Sequence, residues 1–426
     1  MTKLESGTSM MNIDAGDTAW VLAAACLVML MTPALGFFYG GLVRHKNILT
    51  LLIQCYAIFA AVSIIWALLG YSLTFGESSG HFIGDSHYFA LRNIGMEPYI
   101  EAPTIPGMVF FFFQLCACAI TPALIVGAPA ERFGLIPAVL FSCVWVIMVY
   151  CPIGHWVFHE HGWLKELGAK DFAGGMVVHM SAGYSALAMA FLSGKRKESN
   201  GVPAPHNISY SILGAALLWF GWFGYNGGGA FAANLQAGLA IVSTNLAAST
   251  GGLGWAMIDY AYTRKVSPLG IATGSVCGLI AMTCGCGFCP AWSSLLIGLI
   301  GGVLSSLFCK LREHYHLFDD SLDVFGCHGV CGTWGVFATG LWASADTPGN
   351  TNGAFYGRGI LLGYQLAGIV TVALYSFALT LVIGTAMKYA GILRVSEEEE
   401  EKGLDMVLYG EQAYVFVPDI PRNPTI

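Results

Sequence analysis

Apolar runs broken by short polar stretches recur eleven times along this 426-residue chain. They lie at roughly 17–39, 48–72, 107–129, 134–153, 171–192, 208–226, 231–260, 268–284, 290–310, 323–343 and 356–388. Each is close to the ~20 residues a helix needs to cross the hydrocarbon core of a bilayer. The pattern therefore predicts an all-α polytopic membrane protein with eleven transmembrane helices. Three parts follow: an N-terminal tail at 1–16, a membrane domain at 17–388 and a polar C-terminal tail or linker at 389–426. Segment 1–16 lacks the apolar core of a signal peptide, so no cleaved targeting segment is expected.

The positive charges sort the loops into two sets. One set, with the C-terminal tail, holds Arg44, Lys46, Arg132, Arg196, Lys265, Lys310 and others. The alternate set holds only Arg92, Lys165, Lys170 and Arg358. The asymmetry predicts a cytoplasmic C-terminus, and an odd number of spans then leaves the N-terminus outside, in a cell membrane.

Two histidines fall inside apolar spans, and each follows an aspartate by the same interval. Asp171 precedes His179, and Asp320 precedes His328. An imidazole at bilayer depth is costly and marks a functional site by default. Asp171 is placed to cap the fifth helix and favour its dipole; Asp320 and Asp323 stand at the start of the tenth. Eight residues of α-helix carry each histidine about 12 Å inward, one from each face. Helices 1–5 and 6–10 thus read as an inverted repeat with its site near mid-depth.

Composition narrows the classes. The chain is 56% apolar and 11% charged, against ~25% charged in soluble domains. Its 54 glycines suit helices that pack backbone to backbone. The net charge of −7 arises largely from segment 77–101 and the run Glu397 to Glu401, so it describes loops and tail. No basic patch speaks for nucleic acid, and no phosphate-cradling loop, metal motif or Ser–His–Asp set speaks for an enzyme or a cofactor. Cys284, Cys286 and Cys289 form a cluster that could hold a metal or a disulfide, although its spacing matches no strong zinc pattern. The group His155, His159, Glu160 and His161 reads as a solvated or subunit-packing loop, and Phe110 to Phe113 as surface facing lipid or a subunit.

Several stretches resemble the ammonium transporter family (Amt/Mep/Rh), nearest its bacterial Amt members. They are TPALGFFYGGLVRHKN (32–47), IVGAPAER (125–132), DFAGGMVVHMSAGYSAL (171–187), WFGWFGYNGGG (219–229), DVFGCHGVCG (323–332) and the tail LRVSEEEEEKGLDMVLYGEQAY (393–414). The resemblance implies a homotrimer with one narrow pore per subunit, lined by His179 and His328. It also implies ammonium recruited at the outer mouth and ammonia passing the pore. An aromatic vestibule suits ammonium through cation–π attraction, and an apolar tube resists the charged ion because desolvating it is expensive.

Four positions depart from the family pattern. The two stacked gate phenylalanines are replaced by Ala117 and Tyr225, a recruitment serine by Gly229, and the vestibule tryptophan by Phe158, unless Trp156 or Trp163 supplies that ring. A void at Ala117 would let substrate bind deeper, closer to His179. These departures leave an alternative open: an ammonium sensor with a transporter-like body that signals through its C-terminal region. The resemblance further implies a P-II-type signal protein at the tail, where Leu408 and Tyr409 depart from the usual pattern, or a fused signalling domain beyond Tyr414.

Overall fold

The computed structural model describes residues 12–197 and 205–414. The part of the N-terminal tail before residue 12 and the proposed linker VFVPDIPRNPTI (415–426) lie outside the described residues. The described chain is mostly helical; its single hairpin pairs Ser78–Ser79 with Ile83–Gly84.

The long helices follow the apolar runs. α1 is Ala15–Leu42, α2 is Ile48–Phe75 and α3 is Gly107–Ile125. α4 runs from Leu135–Trp145 through a π-turn at Val146–Tyr150 into Cys151–Phe158, and α5 is Gly175–Ser193. α6 is Ile208–Gly228, α7 Leu235–Thr263, α8 Pro268–Thr283 and α9 Ser293–His314. α10 joins Phe325–Val330 to Cys331–Trp342, and α11 is Gly359–Tyr389. Eight of these are long and apolar enough to cross a membrane by length and composition. The exceptions are α7, diluted by Ser, Thr, Asn and Gly, α8 with 16 residues, and α10, diluted by Gly, Thr, His and Trp. Their small residues let neighbours approach instead: Gly302 of α9 lies against the Gly251 carbonyl of α7.

Two close helix crossings set the site. α1 packs along α6, where a Cβ on Gly214 would fall 2.3 Å from the Phe38 nitrogen. α5 crosses α10, where a Cβ on Gly183 would fall 2.2 Å from the Gly329 nitrogen. Only glycine permits these approaches, which bring the two histidine-bearing helices into backbone contact.

One face carries the C-terminal tail and an ion network. Glu131, in the turn before α4, accepts from Arg44 Nε at 2.8 Å, Asn47 Nδ2 at 2.8 Å and Arg196 Nη1 at 2.8 Å. Arg196, just past α5, also donates through Nη2 to Asp319 Oδ1 at 2.8 Å, and Arg132 pairs with the same Asp319. The tail docks beside this network. Asp405 accepts from Leu49 N at 2.9 Å and from Thr50 N and Thr50 Oγ1, each at 2.8 Å, so it caps α2 from the far end of the sequence. The acidic run is not wholly solvated: Glu400 is buried and bonds Arg394 at 2.7 Å.

Candidate functional site

Asp171 sits in the extended approach to α5, outside the helix. Its carboxylate accepts from Gly174 N (2.9 Å), Gly175 N (2.7 Å), Met176 N (2.7 Å) and Val177 N (3.3 Å). These are the orphan donors of a helix start, so the side chain caps α5. Gly174 turns the chain with φ +106°, a conformation open to glycine. The first turn of α5, Gly175–Met180, is a π-turn. The expected 12 Å rise from Asp171 is therefore not realised as α-helix: the helix begins at Gly175, and its first turn is wider and shorter per residue. α10 begins in the same way. Asp320 Oδ2 accepts from Phe325 N at 2.8 Å, and a π-turn spans Phe325–Val330. Asp323 holds φ +55° and pairs with Arg312 at 2.9 Å.

The two π-turns deliver both imidazoles to one point. His179 Nδ1 lies 3.3 Å from His328 Nδ1, and both residues are buried. The separation requires one of these nitrogens to donate and the other to accept. Trp222 of α6 stacks on His179 at 5.2 Å and 25°, fixed by its Nε1 donating to Thr283 Oγ1 at 2.9 Å. This tryptophan was missed from the sequence, although it stands one helical turn before Tyr225. Around the imidazoles runs a tube lined by Met31, Leu35, Phe38, Ile120, Leu124 and Leu218 among others. Its free volume of ≈ 20 Å³ admits one molecule the size of water or ammonia.

On the face opposite the tail, the tube meets a vestibule of ≈ 300 Å³. Ala117, Tyr225, Phe158, Gly229 and Asp171 all line it, as do Tyr99, Phe110, Phe113 and Phe231. Phe158 holds the position for which Trp156 and Trp163 were alternatives; Trp156 instead donates to the Phe82 carbonyl at 2.9 Å. The Phe110 to Phe113 run is not simple outer surface: Phe110, Phe111 and Phe113 are buried, and Phe110 stacks on Tyr99 at 4.6 Å. Below the tube lies a cavity of ≈ 560 Å³ lined by Phe38, Asp259, Lys310 and Asp323. Tyr225 is common to the vestibule and the tube, and Phe38 to the tube and the lower cavity. Three separate spaces thus lie in series, neighbours sharing a lining residue, with the smallest at the histidines.

The remaining candidates resolve as packing. Cys284, Cys286 and Cys289 are free buried thiols, and Cys284 Sγ donates to the Lys170 carbonyl at 3.2 Å. His155 and His159 are buried and stacked at 4.4 Å, not solvated, because His155 bonds the Thr74 carbonyl and Ser78 Oγ at 2.8 Å each.

Comparison with known proteins gives concordant results. The Ammonium Transporter Family model matches residues 19–414. The chain is 40% identical to the ammonium transporter of Bacillus subtilis over 400 residues, covering 94% of this chain and 98% of that protein. Candida albicans Mep2 superposes with a TM-score of 0.86 at 35% identity, covering 91% of this chain and 88% of that one. A structure described as a sensor Amt protein superposes with a TM-score of 0.86 at 30% identity, covering 92% and 98%.

Proposed function

The chain belongs to the ammonium transporter family, and from that premise we propose that it carries ammonium across the cell membrane through the tube at His179 and His328. Members of this family are multi-pass membrane transporters rather than enzymes. In our reading all eleven long helices span the bilayer, with the N-terminus outside, the tail inside, and helices 1–5 and 6–10 forming an inverted repeat. The vestibule is then the outer mouth and the cavity of Asp259 and Asp323 the inner one. Three such subunits form a homotrimer, and the docked tail is the surface a P-II-type partner reads.

The observation that carries this reading is the pair of buried imidazoles joined at 3.3 Å in a space for one small molecule. A bare cation in that tube would forfeit its hydration with too few acceptors to replace it. Neutral ammonia keeps both a donor and an acceptor for the imidazoles and crosses at lower cost. Ammonium therefore gives a proton to water at the neck, where vestibule and tube meet at Tyr225, ammonia passes the histidines, and it takes a proton from water in the inner cavity. The aromatic side chains of the vestibule hold the arriving ion by cation–π attraction.

The test is reconstitution into liposomes, with uptake followed by internal pH and by current. Ammonium-dependent, saturable uptake that is abolished in His179→Ala supports the proposal. Tight ammonium binding without any flux would overturn transport and leave the sensor reading.

A further inference from the structure

Three rings enclose the upper end of the tube. Trp222 and His179 stack at 5.2 Å, Trp222 and Tyr225 meet edge-on at 5.9 Å, and Tyr225 and His179 lie 6.2 Å apart. Two polar atoms in this enclosure are buried and have no hydrogen-bond partner among the described residues: Tyr225 Oη and His179 Nε2. Both residues are 2% exposed. A buried hydroxyl or imidazole nitrogen left unpaired is costly. Two of them on one cavity therefore mark the place of a small hydrogen-bonding guest.

The rest of the neck fits that location. Ala117 carries no ring to fill the vestibule floor, and Gly229 offers no side-chain acceptor at the mouth. The hydroxyl lies beside Gly174, where a Cβ would come within 2.9 Å of it, at the junction of vestibule and tube.

Resting on the transport reading above, we propose that Tyr225 is a specificity-determining residue whose hydroxyl, with His179 Nε2 and the face of Trp222, forms a discrete site for one ammonium nitrogen. The ion donates one N–H to Tyr225 Oη and another to His179 Nε2, while its charge faces the indole. This assigns the proton between the imidazoles to His179 Nδ1, which donates to His328 and leaves Nε2 as the acceptor. Potassium donates no hydrogen bond, and two lone-pair ligands are too few to replace its hydration shell. Methylammonium keeps three N–H groups and can meet both acceptors, so what opposes it is the lack of room for its methyl group in a space of ≈ 20 Å³. A site built to hydrogen-bond its substrate discriminates strongly against analogues that cannot make the bond.

Tyr225→Phe keeps the ring and removes only the hydroxyl. Its thermal stability in detergent should match that of the parent protein within a few degrees. In the liposome uptake assay, half-saturating ammonium should rise about tenfold, and the preference for ammonium over potassium, read as inhibition of that uptake by potassium, should fall. A Tyr225→Phe protein with parental half-saturation and parental preference overturns the assignment, because the hydroxyl would then be packing alone. Failure of the underlying reading looks different: the parent protein itself would show no ammonium flux.

Discussion

Replacing Asp171 separates a capping carboxylate from an ion ligand. Its oxygens hold four backbone N–H groups at the start of α5, three of them at 2.9 Å or less. Hydrogen bonds to a charged acceptor contribute about 1.5–3 kcal/mol each, so three short ones would total roughly 4–9 kcal/mol if they were independent. They share one side chain, and ordinary cap deletions cost at most about 2 kcal/mol. Water entering from the vestibule would replace part of the loss in Asp171→Ala, for which we expect roughly 3–5 kcal/mol. Asp171→Asn keeps one carbonyl oxygen for two of the donors and loses the charge that favours the helix start; about half that penalty is expected. The assay is thermal unfolding in detergent beside ammonium titration of the same samples. The order should be parent, Asn, Ala in stability, with apparent ammonium affinity in Asp171→Asn within about threefold of the parent. An Asn variant with full stability and no ammonium binding would refute the capping account and make Asp171 a direct ligand.

Four further outcomes are expected. Ala117→Phe should place a ring in the vestibule floor and slow ammonium uptake severalfold with little loss of stability; unchanged flux and binding would remove any role for the space there. Arg196→Ala should cost about 2–3 kcal/mol, because it takes hydrogen bonds and one of two cations from each of Glu131 and Asp319, which keep Arg44 and Arg132, and size-exclusion profiles with melting curves would register it. Burial pushes the Asp319 carboxyl up, but hydrogen bonds and charge from Arg196, with the charge of Arg132, outweigh this and hold it well below the usual carboxylate range. Its folded pKa is depressed, so its stabilisation is full above the ordinary carboxylate pKa and disappears as pH falls through the folded value. Melting temperature should therefore drop in acid in the parent protein and lose that component in Asp319→Asn. Finally, Asp405→Ala removes the cap on α2, and limited proteolysis should cut the tail faster while leaving the membrane helices intact.

What the sequence made legible was period and spacing. The apolar runs located the long helices, and two Asp–His intervals pointed to two imidazoles that meet. The distance argument behind that pairing was wrong in detail, since 3.6-residue periodicity cannot reveal a π-turn; Gly175–Met180 and Phe325–Val330 emerge only when packing selects them. Trp222 escaped notice because its role depends on stacking against a residue on another helix. The same holds for Arg196, whose partners Glu131 and Asp319 lie 65 and 123 residues away. Phe110 and His155 were read as surface because an aromatic or polar run on a membrane helix looks alike whether it faces lipid or a neighbouring helix. By contrast, Ala117, Phe158, Tyr225 and Gly229, singled out as departures in the sequence, all line one vestibule.

Arg196 leaves the end of α5 and Asp319 leads into α10, so one guanidinium rivets the far end of one histidine helix to the near end of the other. Halves stapled in this manner have little liberty to rock against each other. Under the transport reading proposed above, passage then threads a standing conduit, with a rate that should answer weakly to temperature and membrane stiffness, unlike that of a carrier that reorients with every cycle.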